Sequence, residues 1–96
     1  SLDPETAMRG VWSDMTDQEL LEVAFNARCG VARRIALVRL RDPRMMVSFA
    51  KEDPDPLVRR GLVRYLTDRA VLEEIAEQDS DSSVRQAAAD TLIRLE

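Results

Sequence analysis

Histidine is absent from this 96-residue chain. That removes the commonest general base and a favoured metal ligand. Cysteine is nearly absent too. Cys29 stands alone, so no internal disulfide can form, and a reducing, cytoplasmic setting is expected. No apolar run approaches the ~20 residues of a membrane span, and no basic-then-apolar leader is read at the start. An opening Ser1 rather than Met leaves the chain open to being an excerpt of a longer one. Glycine occurs three times, never in a phosphate-cradling loop or a nucleophile elbow. Aromatic residues make up 4%, leaving few flat side chains on which bases could stack. Lysine is represented by Lys51 only, and the other basic residues are all Arg.

What is present points to one soluble globular domain. Hydrophobic residues supply 45% and charged residues 33%, too apolar a balance for a disordered chain. The net charge of −4 disfavours non-specific attraction to nucleic acid or anionic lipid. The charge is also unevenly placed. Residues 1–27 sum to −5, residues 28–50 to +5, and the remainder to −4.

A 26-residue repeat runs through the chain without gaps. Arg33, Arg59 and Arg85 fall in one column, and Leu40, Leu66 and Leu92 in another. Each unit reads as a short helix and a long one. The long helices carry apolar residues four apart: Ala32, Ala36, Leu40; Val58, Leu62, Leu66; Val84, Ala88, Leu92. The short helices carry Leu20, Val23, Ala24; Met46, Phe49, Ala50; Leu72, Ile75, Ala76. Both spacings keep the apolar side chains on one helical face.

Boundary residues follow the same register. Thr16, Asp42 and Asp68 are suited to N-caps, Thr16 with Glu19 to a capping box, and Pro43 and Pro56 to first helical positions. The pattern predicts helices over about 4–12, 17–27, 30–41, 43–51, 56–67, 69–77 and 82–95, and no sheet. One unit of this size cannot bury its own stripe, so the units must stack. The expected architecture is all-α: a short right-handed α-α solenoid of about seven helices. Its parts would be a degenerate N-terminal capping unit 1–28, repeats 29–54 and 55–80, and a C-terminal capping helix 81–96.

The stretches "DPDPLVRRGLVRYL" and "DSDSSVRQAAADTL", preceded by "VSFAKE" and "LEEIAEQ", resemble the HEAT-like repeat. The turn Asp and the Val-Arg pair opening the second helix carry the resemblance, over about residues 16–95. The short period is similar to the compact bacterial forms, namely the leucine-rich repeat variant and the phycobilin-lyase-type HEAT-like repeats. The resemblance implies that the short helices are partly 3₁₀. It implies that the Val-Arg helices line a concave face. It also implies a structural ladder of Arg33, Arg59 and Arg85 with the turn residues Asp53, Asp55, Asp79 and Asp81. Cys29 stands where Asp55 and Asp81 stand in the later units.

Candidate chemistry is sparse. Cys29, between Arg28 and Arg33, has the surroundings of an activated thiol, but a small residue in a capping slot is the simpler reading. "DSDSS" (79–83) begins like a calcium loop, yet Val84 replaces the required turn Gly, so no metal site is expected. No catalytic residue and no cofactor is expected. The remaining candidates are Arg34, Arg60 and Arg64, with Arg41 next, on the face of the Val-Arg helices opposite their apolar slots, which the resemblance makes the concave, partner-binding face. Arginine forks suit carboxylates and phosphates. The bland alternative is a solvated face, with Asp90 and Arg94 paired one turn apart. The preferred function is a non-catalytic scaffold that binds another protein, of acidic character, as a monomer or weak homodimer through open solenoid ends. A nucleic-acid- or phosphate-binding module using the same arginines is the second reading. An accessory subunit of a lyase or maturation system, implied only by the resemblance, is the third.

Overall fold

A computed structural model describes residues 11–96. A 3₁₀ turn, Val11–Asp14, leads into six α-helices: α1 (Asp17–Asn26), α2 (Gly30–Leu40), α3 (Pro43–Glu52), α4 (Pro56–Val63), α5 (Arg69–Gln78) and α6 (Ser82–Arg94). No strand occurs among the described residues. Most of the helix predicted over 4–12 lies outside the described residues. Its last two positions, Val11 and Trp12, belong to the 3₁₀ turn instead. The short helices α1, α3 and α5 are α-helical throughout rather than partly 3₁₀.

Local chemistry starts these helices. At α1 the Thr16 hydroxyl accepts from the Glu19 amide (3.2 Å), and the Thr16 amide donates back to the Glu19 carboxylate (2.9 Å). This reciprocal box satisfies two amides that a helix start leaves open. Asp55 caps α4 through the Leu57 amide, with Pro56 at the first helical position. Asp68 caps α5 through Ala70 and Val71, and Asp81 caps α6 through Ser83 and Val84. Cys29 holds the equivalent position before α2 and makes no side-chain cap.

One prediction fails at the end of α4, which stops at Val63 rather than reaching 67. The Tyr65 amide bonds to the Leu62 carbonyl (2.9 Å) and the Leu66 amide to the Val63 carbonyl (3.1 Å). These shorter-range bonds tighten the final turn and release the chain from the helix. Leu66 is still buried, so it reaches the core from beyond the helix end.

The chain divides between Asp42 and Pro43 into two compact units. In the first, α1 packs on α2 around Leu20, Ala24, Ala36 and Leu37. Trp12 is buried as well, and its indole N–H finds no acceptor among the described residues. In the second unit, α3 packs on α4, α5 packs on α6, and α4 packs on α6. Its core is built from Met46, Ala50, Val58, Leu62, Val63, Leu66, Leu72, Ile75, Val84 and Ala88. Each fully buried Leu or Val there contributes roughly 1.5–3 kcal/mol. Every apolar slot read from the sequence is buried or half-buried, and none is exposed. Leu37 and Val63, one repeat apart, join the core from a column that the slot pattern left out.

Candidate partner-binding surface

The arginines sort into those the fold uses internally and those it leaves outside. Arg33, Arg59 and Arg85 each reach back to a backbone carbonyl six residues earlier. Arg33 Nη1 donates to Ala27 O (2.9 Å), Arg59 Nη1 to Asp53 O (2.7 Å) and Arg85 Nη1 to Asp79 O (2.7 Å). The same bond therefore recurs once in each repeat. Arg33 also donates to Arg28 O at 3.1 Å. The carbonyls lie in the turns between a short helix and a long one, where the helix end leaves acceptors unfilled.

The turn acids have internal work too. Asp53 Oδ1 accepts the Asp55 amide and Asp79 Oδ1 accepts the Asp81 amide, both at 2.9 Å. Arg59 holds Asp79 in a two-pronged fork, Nε to Oδ2 at 2.9 Å and Nη2 to Oδ1 at 3.1 Å. The side chains of this pair are only 11% and 5% exposed. Asp81 has its carboxyl held below the ordinary value of 3.8. The Ser83 hydroxyl is the main cause, followed by the Val84 amide, while burial opposes them and the Ser83 amide and the Arg59 charge add less. Among the described residues, no cluster of acids, Cys or His is arranged to hold a metal ion.

Four arginines stand out in the sequence as binding candidates. Arg34 is half-buried on α2. Arg41 is exposed and closes α2 in the left-handed conformation (φ 55°, ψ 33°), a region that favours glycine. Both belong to the first unit. Arg60 and Arg64 belong to the second unit, one turn apart, and both are exposed. Neither has a carboxylate partner among the described residues.

No family model, curated protein or solved structure matches the chain.

Around Arg60 and Arg64 the surface differs from the predicted one in a way that matters. Asp90 does not pair with Arg94. Its carboxylate accepts from Gln86 at 2.9 Å, the alternative one-turn partner on the same stripe of α6. Arg94 instead crosses to α4 and donates Nη2 to the Arg64 carbonyl (3.2 Å), with a second bond to the Thr91 hydroxyl (3.3 Å). The early end of α4 explains this choice, because it leaves the Arg64 carbonyl without a helical partner. The bond brings Arg94 beside Arg64. Ile93, 68% exposed, precedes Arg94 in sequence, and Tyr65, 49% exposed, follows Arg64. Arg60, Arg64 and Arg94 all lie near helix C-termini, where partial negative charge from the backbone favours cations. That local benefit needs only the charge. It does not explain two large apolar side chains left in solvent beside it.

Proposed function

We propose that this chain is a short HEAT-like α-solenoid that acts without catalysis, as a scaffold capturing a protein partner. The recurrence of the arginine-to-carbonyl bond in successive repeats supports the repeat reading. The partner would bind the outer side of α4 and α6. One observation carries this reading: Arg60 and Arg64 lie exposed with no carboxylate partner among the described residues, while their neighbour Arg59 is spent inside the fold. A side chain ordered by neither core nor ion pair remains available to an external carboxylate. Ile93 and Tyr65 add apolar contact area beside that charge.

A nucleic-acid role through the same arginines fits less well. The chain is net −4, and Tyr65 is the only aromatic residue on this surface. Affinity capture from the source lysate, with mass spectrometry, tests the proposal. Captured protein should be lost from Arg60→Glu/Arg64→Glu and retained by Arg69→Glu, which changes an exposed Arg at the start of α5. Equal capture by both variants removes the α4–α6 surface from consideration. Binding to duplex or single-stranded DNA that weakens steeply with salt would favour the nucleic-acid reading instead.

A further inference from the structure

The basic surface has a counterpart elsewhere on the chain. On α1, Gln18, Glu22 and Phe25 lie on one exposed face, at spacings of four and three. Asp17 adds a second carboxylate at the start of the helix. Neither Asp17 nor Glu22 has a cationic partner among the described residues. Phe25 is 64% exposed, one helical turn from Glu22. The α4–α6 surface offers the opposite arrangement: Arg60 and Arg64 one turn apart, with Ile93 68% exposed nearby.

We infer that the α1 face of one copy docks on the α4–α6 surface of a second copy, with Glu22 and Asp17 against Arg60 and Arg64 and Phe25 against Ile93. This rests on the reading of that surface as a docking site and names its occupant. Charge complementarity selects the copy. The α1 helix offers Asp17 and Glu22 without cationic partners among the described residues, whereas the docking surface presents three arginines. An apolar side chain flanks the charges on both sides, as expected of an interface core with a polar rim. Each copy thus carries one acidic face and one basic face, and either can engage the other's complement.

Sedimentation equilibrium at millimolar protein and low salt tests it. The weight-average mass should rise above the 10.9 kDa monomer. It should return to the monomer in roughly 1 M salt, where the Debye length is ~3 Å. Arg60→Glu/Arg64→Glu and Gln18→Arg/Glu22→Arg should each be monomeric, with unchanged far-UV circular dichroism. Mixing these two variants should restore association, since the intact α1 face of the first then meets the intact α4–α6 surface of the second. A monomer at every concentration overturns the inference, as does association that survives both pairs of substitutions or fails to return on mixing. If the wild type is monomeric but loses a lysate partner on Arg60→Glu/Arg64→Glu, only the identity of the occupant is refuted and the docking surface stands.

Discussion

Replacing Asp79 by Ala should cost about 3–5 kcal/mol of folding stability, the range for breaking one side of a buried ion pair. The size comes from what is left behind rather than from the bond itself. Arg59 would keep its contact with the Asp53 carbonyl (2.7 Å) but lose both prongs of the fork. Its guanidinium, 11% exposed, would then be buried without a hydrogen-bonded carboxylate. The Asp81 amide would lose its acceptor as well. Lys51 and Glu74 provide an internal control at the same 2.9 Å separation, with side chains 34% and 45% exposed. Solvent screens that pair, and Glu74→Ala should cost ~1 kcal/mol or less. Domains of this size are stable by only ~5–15 kcal/mol, so Asp79→Ala should be plain in urea denaturation followed by circular dichroism. In thermal melts it should lower Tm by at least ~12 °C, at the ~4 °C or more per kcal/mol of a small domain. Arg59→Met/Asp79→Leu, which removes both charges, should recover most of the loss. If Asp79→Ala shifts the transition no further than Glu74→Ala, burial does not govern this pair and the argument fails.

Other substitutions probe the helix ends. Cys29→Asp supplies the side-chain cap that Asp55 and Asp81 provide to α4 and α6. It should stabilise the protein by ~1 kcal/mol in urea titrations, and no gain would mean that the position does not act as an N-cap. Arg41→Gly relieves a left-handed backbone at φ 55°. A gain of roughly 1 kcal/mol is expected from calorimetry, and a loss would show that the Arg41 side chain contributes more than its conformation costs. Asp81 has a carboxyl lowered below 3.8 in the folded state, so it contributes stability above that value and loses it as pH falls through the lowered one. The Tm difference between wild type and Asp81→Asn should therefore be full above pH ~5 and shrink as the pH is taken below 3.8. A difference independent of pH would refute the assignment of charge to this cap.

Most of the helices were legible because their ends and faces are decided locally. The capping box at Thr16, the proline opening α4 and the caps at Asp68 and Asp81 depend only on residues within a turn of one another. The apolar spacing of four then identifies the buried face without knowledge of what covers it. The failures share a different physical origin. Whether α4 ends at Val63 or runs on to 67 is a small difference in helix propensity, and tertiary packing overrides such differences. Arg94 illustrates the same limit at the candidate surface. Within its own helix, Asp90 is the obvious partner, but the bond that forms spans 30 residues to the Arg64 carbonyl. A sequence pattern reports pairs on one helix, and it has no means of seeing an acceptor exposed by another helix's early end.

Arg59 and Arg60 show how neighbouring positions of one helix can serve the core and the surface separately. They are neighbours of the same residue type, yet Arg59 is 9% exposed and Arg60 is exposed. The ~100° step between successive helical residues separates their environments. The position of Arg59 is fixed by the turn it closes, and Arg33 and Arg85 make the same backward bond one repeat to either side. Changing it breaks the scaffold. The next position makes no such bond, and it reads Arg34, Arg60 and Gln86 along the chain. Here substitution alters what the surface presents while the internal bonding of each turn stays intact. If Arg60 binds a partner as proposed, stability and recognition vary almost independently, one residue apart. A variant of Arg60 should accordingly change binding at nearly constant Tm, whereas a variant of Arg59 should change Tm first. If Arg60→Ala lowers Tm as much as Arg59→Ala does, that separation of roles is wrong.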